Sequence, residues 1–443
     1  MSGASRGAAL GVGPYAELTF DAEGDVDPGS RAAVAGLEAT DLLVFSHGWN
    51  SEPSTATRLY DRFFAPFPGL VGPSVRLGYV GVVWPSIRFA DEPIPDFEVR
   101  GAGFGAENGT VAGSGAGGTA GLDAGTRSAL REFWPGREAE LDRIAELLAE
   151  RPESVEALTE FAALTRALAG ENGSGAHTAG PGAFGAGPLG AGAAEPLPVI
   201  FTGDPADACR ALAAGLTEAG STEPEGLWNG GKELLRQATY HRMKKRAGVV
   251  GERGLGPVLT ELSRSRPRLR IHLIGHSFGA RVVSFALRAV PDGWGFVRSL
   301  TLLQGAFSHY AFADRLPHDR GRGGALAGLQ RRVDGPVVSC YSRHDAALRV
   351  FYPLASRMAG DSAGFAGFDA RWGAIGHDGV QGIPGAVRIT LDEALRGGLP
   401  TAGCASVDAA SVVRRGGPPS GAHSDICHEE LARVVVAAGR MGR

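Results

Sequence analysis

The sequence predicts an α/β fold in which helices cover both faces of a mostly parallel β-sheet. Two observations lead to this prediction. Continuous apolar runs, typical of strands that are covered on both faces, alternate along the chain with segments of helical spacing. One such run ends at a sharp turn, Gly275-His276-Ser277-Phe278-Gly279, and passes directly into a helical pattern. Strands that alternate with helices in this way are usually parallel and joined by crossover helices.

We predict strands, in chain order, at residues 15–20, 41–45, 79–84, 269–274, 297–303, 336–341 and 386–390. The first alternates apolar and polar residues, which favours an edge strand, and we expect the last to be the final strand. Helical spacing predicts helices from residue 55, at 227–246, at 255–262 and from residue 277, with a closing helix at 425–438. Residues 199–202 favour one further short strand.

The composition changes between residues 100 and 225. Runs rich in Gly and Ala at 101–125 and 170–194 flank a charged segment of helical spacing at 130–168. Glycine-rich, weakly hydrophobic runs do not offset the entropy of ordering, so we expect them to be mobile. We therefore interpret residues 1–443 as a single domain and residues 100–225 as a cap or lid inserted within it.

Composition also excludes several classes of function. The 443 residues are 43% hydrophobic, and their net charge of −4 provides no basic surface for nucleic acid. No apolar run reaches the length of about 18 residues that a membrane span needs. The cysteines contain no C-x-x-C pair, which favours reduced thiols, a cytoplasmic location and no bound metal. The oligomeric state is not predicted.

The corner residue of the sharp turn is Ser277. A serine hydroxyl becomes a nucleophile only when a base removes its proton and its oxygen is held clear of the backbone. A tight strand-to-helix turn exposes the oxygen, but it crowds the residues two positions to either side, which must be small. These residues are Gly275 and Gly279. We therefore predict that Ser277 is a catalytic nucleophile.

Polar residues that follow later strands can complete this site, because the loops at the carboxyl ends of parallel strands meet at one edge of the sheet. Asp345 follows the strand at 336–341, and His423 lies in a loop after the final predicted strand. We predict that His423 is the general base and that Asp345 orients it. His377 remains an alternative base, whereas His428 is expected inside the closing helix.

An acyl-transfer site also needs hydrogen-bond donors for the oxyanion of the tetrahedral intermediate. The N–H of Phe278, directly after the serine, is the first predicted donor. The second is expected in the loop after the strand at 41–45, where we predict the N–H of Trp49 first and that of Gly48 second. Together with these residues, the aromatic rings of His47 and Trp84 indicate an apolar mouth to the site.

These motifs, in this order, resemble the α/β-hydrolase superfamily, and in particular its lipase- and esterase-like members. The resemblance covers residues 1–95 and 230–443 and is most specific at 275–279. It implies an α/β-hydrolase fold with an eight-stranded sheet, Ser-His-Asp catalysis, no metal or other cofactor, and hydrolysis of a small-molecule carboxylic ester through an acyl-enzyme. Two alternatives stay open: an acyltransferase that uses the same three side chains, and a catalytically silent binding protein with the same fold.

Three other motifs do not predict a site. Residues 226–232 nearly match a phosphate-binding loop, but Glu233 stands where Ser or Thr would reach magnesium. Residues 113–118 fit G-x-G-x-x-G within a Gly-rich run, where composition alone explains the match. His272 and His276 fall on a strand and a turn, so they do not share the helical face that a zinc pair at this spacing needs.

Overall fold

An eight-stranded, all-parallel β-sheet forms the centre of the fold. The structure is a computed structural model, which describes residues 10–49, 51, 53–87, 121–170, 199–220, 226–353 and 373–442. The strands are β1 (Tyr15–Thr19), β2 (Asp41–Ser46), β3 (Leu77–Val83), β4 (Arg270–His276), β5 (Val297–Leu303), β6 (Pro336–Tyr341), β7 (Val387–Thr390) and β8 (Gly403–Asp408). Their order across the sheet is β1-β3-β2-β4-β5-β6-β8-β7. The predicted α/β class is confirmed.

Helices flank this sheet in the described parts of the chain. They are α1 (Pro28–Ala35), α2 (Pro53–Phe64), α3 (Phe67–Leu70), α4 (Ala124–Phe133), α5 (Glu138–Glu150), α6 (Val155–Gly170), α7 (Val199–Thr202), α8 (Pro205–Glu218), α9 (Leu227–Val249), α10 (Gly256–Ser265), α11 (Phe278–Ala286), α12 (Ile375–Asp378), α13 (Leu391–Glu393) and α14 (Glu429–Ala438). A π-helical turn at Val250–Leu255 joins α9 to α10. This turn packs closely on α11, since a Cβ on Gly251 would be 2.3 Å from the carbonyl oxygen of Val282.

Alternate residues of the central strands point to opposite faces of the sheet, and both faces are covered. Leu42 and Val44 belong to one hydrophobic cluster, whereas Leu43 and Phe45 belong to the other. All the residues of β2 are buried. Full burial of a large aliphatic or aromatic side chain contributes about 1.5–3 kcal/mol, so a strand buried on both faces favours apolar residues at every position. This double burial explains the continuous apolar run in the sequence.

The register of the central strands decides where the loops after them meet. Ser46 pairs with Gly275, so β2 and β4 end side by side. His276 pairs with Leu303, so β5 ends level with them. The loops that follow these three strands therefore emerge at one edge of the sheet, where parallel α/β sheets build their sites.

Two expectations about short strands are wrong. The strand at 386–390 is not the final one: it is the edge strand β7, and β8 follows it and lies beside β6. Small residues such as Ala405 and Ser406 leave β8 without the apolar run that would have predicted it. Residues Val199–Thr202 form the helix α7, which packs against α6 and α8. A strand there would need a neighbouring strand for its backbone hydrogen bonds.

The described part of residues 100–225 consists of helices α4 to α8. Side chains such as Phe133, Ile144 and Leu212 belong to the same hydrophobic cluster as Leu42 of the sheet. Most of the two Gly/Ala-rich runs that we expected to be mobile lies outside the described residues. None of the helices in the described ranges combines the length and hydrophobicity needed to cross a bilayer.

Candidate active site

Ser277 joins β4 to α11 with a strained backbone. Its φ and ψ are 54° and −120°, a combination that residues other than glycine rarely adopt. Its N–H donates to the carbonyl oxygen of Leu303 at 3.1 Å. Its own carbonyl accepts from the N–H groups of Ala280 and Ala306, at 3.2 and 3.1 Å. Hydrogen bonds to neighbouring elements therefore hold the serine in a conformation that a free chain would leave.

Glycine is required on both sides of this serine. A Cβ on Gly275 would be 2.5 Å from the backbone nitrogen of Ala280. A Cβ on Gly279 would be 2.0 Å from the carbonyl oxygen of Ser46, at the end of β2. The two glycines therefore allow α11 to lie directly against β4 and β2, which is the crowding that the sequence predicts.

The structure brings Ser277, His423 and Asp345 together, although 146 residues separate the serine from the histidine. His423 Nε2 is 2.9 Å from Ser277 Oγ, and His423 Nδ1 is 2.7 Å from Asp345 Oδ2. Asp345 is fully buried, and Ser277 is 4% exposed. An ionised carboxylate only accepts hydrogen bonds, so Nδ1 carries the ring proton and Nε2 accepts from the serine hydroxyl. An imidazole in this geometry can remove the serine proton.

The loop that carries His423 is bonded to the loop that carries Asp345. The N–H of Ala422 donates to the carbonyl oxygen of His344 at 2.9 Å, and Gly421 forms an antiparallel bridge with Asp345. Gly421 has a positive φ of 61°, and a Cβ there would be 2.5 Å from the His344 carbonyl oxygen. This short ladder sets His423 beside the carboxylate, in the loop that follows β8, whereas the final strand that we expected before this loop was the one at 386–390.

The loop after β2 passes directly against Ser277. A Cβ on Gly48 would be only 2.6 Å from the Cβ of Ser277, so glycine alone fits this position. Phe278 is the first residue of α11, and the N–H groups of a first helical turn have no acceptor within the helix. The predicted oxyanion donors, on Phe278, Trp49 and Gly48, therefore belong to two segments that meet at the serine.

His47 and Trp84 pack inside the protein, and the expectation that they line an apolar mouth is wrong. Each is 2% exposed, and their rings stack with centroids 5.4 Å apart. The indole N–H of Trp84 donates to the His47 carbonyl at 3.1 Å, and His47 Nδ1–H donates to the Gly48 carbonyl at 2.8 Å. Burial lowers the pKa of His47 to about 4, so its ring is neutral near pH 7. The pair holds the loop that contains Gly48.

Two residues that the sequence analysis gave no role also hold the site. Tyr60 of α2 accepts the N–H of His47 at 3.1 Å and donates its hydroxyl to the carbonyl of Val82. His276 Nε2 lies 2.8 Å from the carbonyl oxygen of His423. Neither contact has a local sequence signal, because each joins segments that are distant in the chain. The position of His276 directly before the serine is the only hint.

The other candidate histidines bond to different carboxylates. His377, the alternative base, places Nδ1 2.8 Å from Oδ1 of the neighbouring Asp378. His428 is the N-cap residue that precedes the first helical residue of α14, so the expectation that it lies inside the closing helix is wrong. Its Nε2 is 2.8 Å from Asp425 Oδ1. Ser277 Oγ is hydrogen-bonded to His423 and to neither of these histidines.

The motifs that we set aside form no second site in the described residues. His272 is buried and bonds to Asp41 with Nε2 at 3.0 Å, so it does not act with His276 on a metal. Residues 226–232 lie at the start of α9, where a Cβ on Gly230 would overlap a backbone carbonyl of α8, and they form no loop. Residues 113–118 lie outside the described ranges. Within those ranges, no group of three or more His, Cys, Asp or Glu side chains could hold a metal ion.

Comparisons with family models, with curated proteins and with solved structures found no match to this chain. The geometry of the site itself indicates its chemistry. That geometry consists of a strained serine, a histidine within hydrogen-bond distance of its oxygen, and a buried carboxylate on the other ring nitrogen.

Proposed function

We propose that this chain is a serine hydrolase of the α/β-hydrolase type that cleaves small-molecule carboxylic esters. The observation that carries the proposal is the unbroken line of hydrogen bonds from Asp345 through His423 to Ser277. Many proteins contain a serine near a histidine. Fewer place that serine at φ 54° on a strand-to-helix turn with a buried carboxylate behind the histidine.

In the proposed first half-reaction, His423 Nε2 takes the proton from Ser277 Oγ as the oxygen attacks the ester carbonyl carbon. The Asp345 carboxylate stabilises the imidazolium that forms and keeps Nδ1 protonated. Collapse of the tetrahedral intermediate breaks the bond to the alcohol oxygen. The imidazolium returns the proton to that oxygen, so that the alcohol leaves and the acyl group remains on Ser277.

In the second half-reaction, water replaces the alcohol. His423 takes a proton from the attacking water, and the acid leaves as Ser277 Oγ recovers a proton. The negative oxygen of each intermediate needs donors, and we propose the N–H of Phe278 with that of Trp49 or Gly48. Loss of one such donor usually lowers the rate by about 10²–10³-fold.

We expect the acyl group of the substrate to be apolar. Next to the proposed donors, the Trp49 and Tyr240 rings lie 6.3 and 4.8 Å from the ring of Phe278, between centroids. We also propose that helices α4 to α8, which lie in the described part of residues 100–225, act as a cap over this region. Glu218, the last residue of α8, pairs with Arg349 at 2.8 Å, four residues after Asp345.

A fluorophosphonate probe and a panel of p-nitrophenyl esters of graded acyl length test the proposal. The probe should attach to Ser277 of the folded protein, and the Ser277→Ala variant should lose both labelling and esterase activity. Ser284→Ala is the matched control, since Ser284 is a buried serine on α11, the helix that follows Ser277, and its hydroxyl has no partner among the described residues. Its removal should leave both signals unchanged.

Equal ester turnover by wild type and Ser277→Ala would contradict the proposal. No adduct on folded wild-type protein would favour a silent binding protein instead. Product analysis in the presence of added alcohols or thiols separates a hydrolase from an acyltransferase, because a transferase would form a new ester or thioester in preference to the free acid.

A further inference from the structure

His276 connects the strand that ends at the serine to the loop that carries the proposed base. Its side chain is 6% exposed, and Nε2 lies 2.8 Å from the carbonyl oxygen of His423. A carbonyl oxygen only accepts, so Nε2 of His276 must carry a proton and donate it to this bond. On its other side, the ring lies against Gly48, where an added Cβ would be 3.1 Å from Nδ1.

We propose that His276 is a positioning residue that fixes the backbone of His423, so that the His423 ring reaches Asp345 and Ser277 at the same time. This inference rests on the proposed function. His276 touches no reacting atom, because its Nε2–H is directed to the carbonyl oxygen of His423 and the hydrogen bond to Ser277 Oγ belongs to His423.

The backbone of His423 needs such a contact because it lies in a loop. Residues 409–428 between β8 and α14 contain no helix or strand. The N–H of Ala422, one residue before His423, is bonded to the Asp345 loop at 2.9 Å. The His423 carbonyl, on the other side of its Cα, is bonded to His276. The two bonds lie on opposite sides of the imidazole and together restrain the backbone that carries it.

The ring of His276 suits this role because it is uncharged. Burial, with a smaller contribution from the nearby His423, lowers the pKa of His276 to about 3. The two rings are close, with centroids 5.1 Å apart. A charged His276 would oppose the positive charge that His423 acquires when it takes the serine proton, whereas a neutral N–H donor does not.

The first test compares His276→Gln with His276→Leu, using p-nitrophenyl butyrate as the substrate. The glutamine side chain keeps an N–H donor at a similar distance, whereas leucine keeps only the bulk. A misplacement of about 1 Å in a catalytic group costs roughly 10²-fold in rate. We therefore expect kcat to fall by about 10²-fold in His276→Leu with KM unchanged, and glutamine to restore most of it. A leucine variant with wild-type kcat would overturn the proposal.

The second test places His276→Leu in a His423→Ala background. If His276 acts through His423, the residual activity of His423→Ala should not fall further when His276 is also replaced. Residues that act as one unit show this lack of additivity. If the two losses multiply, His276 acts on the turn or on the oxyanion donors and not on His423, and the proposal is wrong.

A third measurement does not depend on any substrate. The proton that His423 Nδ1 donates to Asp345 should give a far-downfield proton NMR resonance, which the His423→Ala variant identifies. We expect this resonance in wild type and His276→Gln, and its loss through faster exchange in His276→Leu. Thermal unfolding confirms that each variant folds, and His276→Met replaces the leucine variant if that variant does not.

The outcomes separate the two proposals. If Ser277 is not labelled but the resonance disappears in His276→Leu, the hydrolase proposal fails and the positioning role of His276 stands. If Ser277 is labelled and the resonance and kcat both survive in His276→Leu, the hydrolase proposal stands and the positioning role fails.

Discussion

Two buried histidines should make the protein less stable as the pH falls below 7. Burial lowers the pKa of His47 to about 4 and that of His276 to about 3, from an ordinary value of 6.5. When the chain unfolds, both rings return to the ordinary pKa and bind protons. The unfolded state therefore gains protons that the folded state excludes, and acid favours unfolding. The stabilisation is complete above pH 6.5 and is lost as the pH falls toward the folded values of 4 and 3.

The size of the effect follows from the difference in pKa. At pH 5 the pH is about 1.5 units below the pKa of each unfolded ring, so these rings are mostly protonated, whereas each folded ring is still neutral. Because one unit corresponds to about 1.36 kcal/mol, each histidine lowers the free energy of unfolding by about 2 kcal/mol between pH 7.5 and pH 5. The two together account for about 4 kcal/mol, a large part of the 5–15 kcal/mol that is usual for a folded protein. Carboxylates with lowered pKa values, such as Asp41, titrate below this window.

Urea unfolding followed by circular dichroism at pH 7.5, 6 and 5 measures this loss. His276→Gln removes one of the two titrating rings, so its loss between pH 7.5 and 5 should be smaller than that of wild type by about 2 kcal/mol. His344→Gln is the control for the same change of side chain at an exposed position. If wild type and His276→Gln lose the same free energy over this range, the burial of His276 does not hold it neutral and the reasoning is refuted.

Three substitutions test the site itself. The Asp345→Asn variant should fold normally, but its kcat should be lower by about 10⁴-fold because His423 then has the wrong tautomer. A loss of less than about ten-fold would show that Asp345 does not orient His423. Gly48→Ala places a Cβ 2.6 Å from that of Ser277. The added Cβ should displace the loop or Ser277 and slow fluorophosphonate labelling by about 10²-fold or more, whereas unchanged labelling would mean that the oxyanion donors lie elsewhere. Gly279→Ala forces a Cβ to 2.0 Å from a backbone carbonyl and should lower the free energy of unfolding by about 3 kcal/mol in urea. Gly69→Ala, where nothing lies within 4 Å, is its control, and equal stability of the two would contradict the close approach.

Sequence reasoning succeeded where one local requirement decides the structure. Strands buried on both faces favour a continuous apolar run, as at residues 42–45 of β2, and Gly275 and Gly279 must be small because of the turn between them. The expectation that the loops carrying Asp345 and His423 meet near Ser277 used the rule that parallel strands end at the same edge, together with the Ser, acid, His chain order of the hydrolases that the sequence resembles. These inferences need only the residue types, their order along the chain and the direction of the strands.

The remaining features of the fold and the site could not be predicted from the sequence because their physical causes are not local. β8 is a strand because β6 and β7 lie on either side of it, and its small side chains carry no pattern of their own. The interior position of Trp84 depends on His47, which is 37 residues away. The role of His276 depends on a carbonyl 147 residues further along the chain. No window of sequence contains both members of such a pair.

The stability of the fold does not explain why a serine occupies the strained position 277. A residue other than glycine at φ 54° and ψ −120° costs on the order of 1–3 kcal/mol. Glycine would adopt these angles freely. A serine at this position therefore makes the turn less stable than the alternative, and the feature that serine has and glycine lacks is the hydroxyl group bonded to His423.

A comparison of Ser277→Gly with Ser277→Ala measures this strain directly. Both variants lose the hydroxyl, so they differ only in the Cβ. Glycine relieves the strain but adds about 0.4–1 kcal/mol of unfolded-state entropy, which leaves it more stable than alanine by about 1 kcal/mol in urea unfolding. Neither variant should react with the fluorophosphonate probe. If the alanine variant proves as stable as the glycine variant, the turn is not strained. The conformation of Ser277 then gives no reason to think that serine is kept at this position for its hydroxyl group.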